Sequence, residues 1–247
     1  MNSDRPRVAV FRPDDGRLEA AVYLLESLGV EAVGDPMLSV ESTGTAPRED
    51  PDYAILTSPT AAGLVGDVGW SPGDTTVCAI GESTAEALRD AGYGVDLVPD
   101  EYSSSGLVAA LDGRVDGARV EVARSDHGSA VLLEGLEGAG AYLHETVLYR
   151  LIRPSGSGHS VDLVAKGDLD GALFTSSLTV EHFLDAAAEQ GVADSAVKGL
   201  NGAVVGAIGT PTAETAAEHG IEVDVVPDRA DVEALARAVA DAIPAPR

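Results

Sequence analysis

GAVVGAIGTPTAETAAEHGIEVDVVP, running from Gly202 to Pro227, decides how this chain is built. AVVGAI is a short apolar run of the kind that buried parallel strands use. Gly209 then permits a tight turn. Thr210 is expected as the N-cap of a helix, with Pro211 in the first helical position, where a missing N–H does no harm. The helix should stop at Gly220, a favourable residue just past a helix end. EVDVV alternates and is expected to return as the next strand. The unit therefore points a helix N-terminus at whatever lies beyond the strand's carboxyl end.

The same unit occurs earlier as TTVCAIGESTAEALRDAGYGVDLVP, Thr75 to Pro99. Ile80-Gly81 aligns with Ile208-Gly209, Thr84-Ala85 with Thr212-Ala213, and Gly92 with Gly220, at a constant offset of 128. Upstream, Asp52–Pro59 matches Asp170–Ser177, here at an offset of 118. Both are apolar strands ending in Thr-Ser before a helix, which makes Ser58 and Ser176 candidate N-caps. A weaker third pairing sets Arg7–Arg12 against Arg119–Arg124. The period is far too long for a solenoid and marks a duplicated α/β domain.

The central unit holds an Arg strand, a Thr-Ser strand and an Ile-Gly strand, whereas the C-terminal unit has only the last two. Residues 1–34 supply its missing strand. The first domain is thus expected to be discontinuous, 1–36 plus 165–247, with the second inserted at 50–145. Segments 37–49 and 146–164 are the crossings, expected to form a two-stranded β hinge, and Pro154–Ser160 (PSGSGHS) reads as flexible linker. Met1–Pro6 and the closing Ala-Pro-Arg read as tails. The expected fold is α/β: two similar flavodoxin-like parallel-sheet domains with an active-site cleft between them.

Forty-one acidic residues against 16 basic ones give a net charge of −25, and only Lys166 and Lys198 are lysines. The acidic residues are spread along the chain, which fits a surface soluble in strong salt. No basic stripe exists to neutralise phosphates, so no nucleic-acid partner is expected. The single cysteine, Cys78, sits in an apolar run and reads as a buried hydrophobe. The N-terminus lacks an apolar signal core and no run reaches membrane length, so no membrane partner and a cytoplasmic location are expected.

Ligands of open parallel sheets bind beyond the strands' carboxyl ends. Here those ends carry Arg12, Arg124, Thr57-Ser58, Thr175-Ser176 and the two Gly-x-x-Thr turns. Helix N-termini, hydroxyls and a few arginines suit a large ligand with several carboxylates or phosphates. Metal chemistry is not expected: His127, His144, His159, His182 and His219 show no ligand-type pairing. Neither a G-x-S-x-G elbow nor a P-loop is present. Trp70, in a Gly/Pro-rich loop, reads as packing. Tyr149 closes a strand at a crossing, and position alone leaves it open between packing and chemistry.

Taken together, Ile80-Gly81-x-x-Thr84-Ala85, Ile208-Gly209-x-x-Thr212-Ala213, Thr57-Ser58-Pro59, Phe174-Thr175-Ser176, Val98-Pro99 before Ser105-Gly106-Leu107, and Val147-Leu148-Tyr149-Arg150 resemble the uroporphyrinogen-III synthase family. The resemblance spans nearly the whole chain, and the acidic, lysine-poor composition looks like that of a haloarchaeal member. It implies cyclisation of hydroxymethylbilane, a linear tetrapyrrole with eight carboxylates, with inversion of its last ring. The implied path loses water to give an azafulvene, then passes through a spiro intermediate, with no cofactor and no metal. By motif, Tyr149 matches the tyrosine that assists hydroxyl departure, Thr84 and Thr212 the threonines near the substrate's carboxylate arms, and Ser58 and Ser176 the substrate-binding turns. Arg12 and Arg124 come from the rim rather than from the family. Ser177 stands where the other copy has Pro59, which should alter only the helix start. The family is usually monomeric. The rival reading is a non-catalytic two-domain α/β sensor for an anionic small molecule, which repeat and hinge fit equally well.

Overall fold

A computed structural model describes residues 5–244; Met1–Asp4 of the expected N-terminal tail and Ala245–Arg247 lie outside it. The chain runs through β1 (Arg7–Pro13), α1 (Gly16–Ser27), β2 (Glu31–Ser42), β3 (Tyr53–Leu56), α2 (Pro59–Asp67), β4 (Thr76–Ala79), α3 (Glu82–Asp90) and α4 (Ser104–Leu111). It continues through β5 (Arg119–Ser125), α5 (Ala130–Gly138), β6 (Tyr142–Ile152), α6 (Val161–Lys166), β7 (Gly171–Phe174), α7 (Ser177–Glu189), α8 (Ala193–Leu200), β8 (Val204–Ala207), α9 (Thr210–Glu218) and α10 (Val232–Ala242). Two compact units result: the described residues up to Ser39 together with those from Ile152 onward, and Val40–Leu151. The chain leaves the first unit along β2 and returns along β6.

Within the first unit every strand pairing is parallel, in the order β2-β1-β7-β8. The second repeats this as β6-β5-β3-β4. Alternation along each strand splits its side chains between two layers. In β1, Val8 and Val10 pack on α1 and α10 with Leu25 and Val239. Ala9 and Phe11 face the opposite layer with Val164, Val180 and Ala216. All three phenylalanines meet there, Phe11 stacking on Phe174 at 4.6 Å and Phe183 at 5.0 Å from Phe11. In the second unit Leu56 and Ala79 face α2 and α3, while Ile55, Cys78 and Val122 face α4 and α5. Cys78 is indeed buried, and desolvation together with the nearby Asp96 pushes its thiol up to about 12. Trp70 is buried too, its indole N–H donating to Arg48 O at 3.0 Å. Among the described residues, no helix is long and apolar enough to cross a membrane.

The duplication reaches individual hydrogen bonds. Asp52 Oδ2 accepts the Arg119 N–H at 2.8 Å and Asp170 Oδ2 accepts the Arg7 N–H at 2.7 Å, which starts β5 and β1 in register. Gly92 and Gly220 follow the ends of α3 and α9 at φ of +90° and +75°, conformations that favour glycine.

Three expectations need correction. The N-cap of α9 is Gly209, not Thr210, because the Ala213 N–H already donates to Gly209 O at 3.1 Å; Thr210 and Pro211 are helical. EVDVV does not form a strand beyond a single bridge, Gly206 to Val225, because the Asp224 carboxylate occupies the ladder position at the Val205 N–H, 2.8 Å away. Pro154–Ser160 is not loose: the buried Asp35 carboxylate accepts the Gly158 and Ser160 N–H groups, both at 2.9 Å, and the Ser160 hydroxyl at 2.6 Å.

Candidate active site

The carboxyl ends of each unit's strands carry the sequence-predicted residues, and local chemistry sets each one. Ser58 follows β3 in extended conformation and caps α2, its Oγ accepting the Ala61 N–H at 3.0 Å. Ser176 caps α7 in the same way, accepting the Thr179 N–H at 3.2 Å within a reciprocal box. In each of these two helices the serine side chain takes one first-turn N–H.

The starts of α3 and α9 are built differently. Their N-caps are Gly81 and Gly209, and neither has a side-chain cap. The Glu82 and Ser83 N–H groups of α3 and the Thr210 and Thr212 N–H groups of α9 have no intrahelical partner, since a helix leaves its first donors unpaired and Pro211 has none. Such a terminus is a ready acceptor site for carboxylate. Thr84 and Thr212 lie buried in these same first turns. Ser177 does more than alter a helix start. Its hydroxyl donates to Pro211 O at 3.2 Å and accepts from Thr215 Oγ1 at 2.9 Å, tying α7 to the turn that carries Thr212.

A register shift re-aims the end of β6. Arg124 pairs with Val147 and Ser125 with Tyr149, so Leu148 is passed over. A bulge of this kind turns two successive side chains the same way, and Leu148 and Tyr149 both join the layer beside α2 and α3. Tyr149 is 7% exposed, and its Oη lies 3.0 Å from Ser58 Oγ. The Asp126 N–H donates to Tyr149 O at 3.2 Å, and the Asp126 carboxylate accepts the Leu151 N–H at 3.1 Å and bonds His127 at 2.9 Å. Burial pushes the Asp126 carboxyl up, but hydrogen bonds from His127 and the Leu151 N–H outweigh it and hold the group below the ordinary aspartate value. The first unit has the same shift, with Arg12 opposite Pro36 and Pro13 opposite Leu38. Leu38 therefore occupies the register position of Tyr149.

The two rim arginines differ. Arg124 is 5% exposed; its Nε donates to Glu145 at 2.6 Å and its Nη1 to Ser129 O at 2.6 Å. Arg12 is half-buried, and its Nε is buried without a protein partner. Desolvation, then the charge of Arg17, lowers the Arg12 value, with Asp15 opposing. Among the described residues, no cluster of three or more His, Cys, Asp or Glu is placed to hold a metal ion.

Ser58 and Tyr149, 91 residues apart, are thus brought together, and the bare glycine caps stand beside the predicted threonines. Arg124 is occupied by its own unit. Thr210, with the chemistry of a cap, hides the uncapped glycine start in the sequence; the identical Gly-x-x-Thr in the first copy, where Glu82 follows the glycine, is the signal that reveals it.

The family model described as uroporphyrinogen-III synthase HemD matches residues 19–237. A protein of Methanothermobacter thermautotrophicus, provisionally named uroporphyrinogen-III synthase, is 31% identical over 94% of this chain and 97% of its own length. The uroporphyrinogen-III synthase of Chlorobaculum parvum is 27% identical over 68% of this chain and 67% of its own. In fold, the chain is similar to a crystal structure of a mutant uroporphyrinogen III synthase from Thermus thermophilus, with TM-score 0.65, 18% identity, and coverage of 94% of this chain and 96% of that one. It is also similar to uroporphyrinogen-III synthetase from Helicobacter pylori, with TM-score 0.60, 17% identity, and coverage of 95% and 97%. The reach of the family model, together with a relative matched along almost its full length, places this chain in the uroporphyrinogen-III synthase family.

Proposed function

We propose that this chain, a cyclising lyase of the uroporphyrinogen-III synthase family, closes hydroxymethylbilane with Tyr149 as proton donor. The binding-only sensor is not favoured once the family is in hand. The uncapped N-termini of α3 and α9, with Thr84 and Thr212 in their first turns, would take carboxylate arms of the substrate. Ser176 and Arg12 would add a hydroxyl and a guanidinium at the same ends, with Arg124 holding the frame around β5. No cofactor or metal enters this scheme. The protein is taken to work alone as a monomer in the cytoplasm, without nucleic acid or membrane.

In this reading Tyr149 Oη gives its proton to the leaving hydroxyl. The C–O bond breaks, water departs, and the pyrrole nitrogen lone pair fills the gap to give the azafulvenium. The last ring attacks through its substituted carbon, forming the spiro intermediate, which fragments and recloses inverted. The proton lost on re-aromatisation restores the phenol, so the net change is loss of one water. The substrate also cyclises unaided to the non-inverted isomer, so positioning supplies much of the catalysis.

One observation carries the assignment of Tyr149: the register shift at the end of β6 sets a phenol where the equivalent shift in the other unit sets Leu38. The test is an isomer assay in concentrated KCl with freshly generated hydroxymethylbilane. Wild type should yield predominantly type III against a type I background. Tyr149→Phe should turn over about 10²–10⁴-fold more slowly while remaining folded. Type I alone from folded wild type would remove the activity; an unchanged rate in Tyr149→Phe would remove the tyrosine.

A further inference from the structure

Ser58 and Ser176 are equivalent helix caps, but only Ser58 has a second partner. Its Oγ accepts the Ala61 N–H at 3.0 Å and lies 3.0 Å from Tyr149 Oη. Ser176 accepts the Thr179 N–H at 3.2 Å, and its unit offers Leu38 in the register position of the phenol. Capping therefore does not require the bond to Tyr149, and that bond is an addition to the duplicated plan.

A serine hydroxyl has one proton and two acceptor sites. One acceptor site of Ser58 is used by the α2 backbone, which leaves its proton to give. A nearly buried tyrosine that donates its proton leaves an oxyanion in a poorly solvated place, and such a charge is costly without a donor. The geometry points to Ser58 as the positioning residue of Tyr149: its hydroxyl donates to Tyr149 Oη, turns the phenol proton outward, and holds the phenolate left after proton transfer. Because Ser58 Oγ also receives the Ala61 N–H at the start of α2, the oxyanion is connected through one hydroxyl to a helix N-terminus. This assignment rests on Tyr149 as the proton donor. It removes Ser58 from the substrate-binding set and makes its effect on the reaction indirect.

The experiment compares five variants of the full chain, each checked for folding by thermal unfolding. Ser58→Ala should lower kcat at least tenfold and leave KM within about twofold of wild type, since it loses the proton donor without losing a substrate contact. Ser58→Thr keeps both hydroxyl and cap and should restore kcat. Ser58→Asp is the safeguard if the alanine variant does not fold: aspartate caps a helix as well as serine but only accepts, so it draws the phenol proton to itself. It should match the alanine variant's loss in kcat. Ser58→Ala combined with Tyr149→Phe should be no slower than Tyr149→Phe alone, because both remove the same function. Normal kcat in Ser58→Ala or Ser58→Asp beside a slow Tyr149→Phe overturns the role of Ser58 and spares that of Tyr149. A raised KM at unchanged kcat also overturns it, since Ser58 would then be a substrate contact. Wild-type turnover in Tyr149→Phe overturns the underlying reading itself, and so the two failures are told apart.

Discussion

Asp224 Oδ2 accepts the Val205 N–H at 2.8 Å, and the Asp224 N–H donates back to Val205 O at 2.8 Å. In the other unit Asp96 makes the same two bonds to Val77, both at 2.8 Å. A side chain and a backbone together stand in for a fifth strand at the edge of each sheet. Both aspartates are exposed, so the bonds are only partly shielded from water. Asp224→Ala and Asp96→Ala should each lower stability by about 1 kcal/mol, and by similar amounts. Unfolding by denaturant at fixed salt measures this. A marked inequality between the two would mean the equivalence is geometric only.

Gly209→Ser sets stability against binding. Gly209 has an extended backbone at φ −171°, and an added Cβ would meet only Pro211 Cδ, at 3.9 Å. Serine is therefore accommodated and should cap α9, raising stability by a few tenths of a kcal/mol. Its hydroxyl would occupy a first-turn N–H that the proposed substrate carboxylate needs, so KM should rise roughly tenfold. Stability and steady-state kinetics on one preparation decide it; a capped variant with normal KM would remove the α9 start from the binding site. The matching change at Gly81 is a poorer test, because the Tyr102 side chain would lie 3.1 Å from the new Cβ.

Arg12 and Arg124 should respond oppositely to truncation. Arg124→Ala removes the partner of Glu145 and the donor to Ser129 O in a buried setting, and should cost about 3 kcal/mol of stability. Arg12→Ala removes a guanidinium whose Nε has no protein partner, and should instead raise KM with little change in unfolding midpoint. Unfolding curves and kinetics on both variants would reveal a reversal if the assignment is wrong.

Asp126 gives the end of β6 an acid limit. Its folded carboxyl lies below the ordinary value of 3.8, so its bonds to His127 and the Leu151 N–H add stability that is fully present above that value. That stability is lost as pH falls through the lower folded value, where the carboxylate takes up a proton. Asp126→Asn should flatten this part of the stability profile below about pH 4, as followed by thermal unfolding across acid buffers.

Much of this protein is legible without coordinates. The short apolar runs mark the buried parallel strands, and the repeated Gly-x-x-Thr places Thr84 and Thr212 at helix starts. Charge and the single cysteine narrow the chemistry further. These are local properties, set by backbone geometry over a few residues. The cap of α9 lies one residue before the one that the pattern predicts: Thr210 has the chemistry of a cap, but the Ala213-to-Gly209 bond sets where the helix begins.

Sequence by itself determined the duplication and the residue types gathered at the strands' carboxyl ends, because periodicity and turn chemistry act within one element. Only the tertiary structure decided what those residues touch. Arg12 and Arg124 look alike in the repeat, yet Arg124 meets Glu145 while Arg12 has an unpartnered Nε. Tyr149 reaches Ser58 because β6 shifts register beside Arg124 and β5 brings β3 alongside. Partners across strands are fixed by sheet register and by a bulge that passes over one residue, and neither is written in the local pattern of the chain.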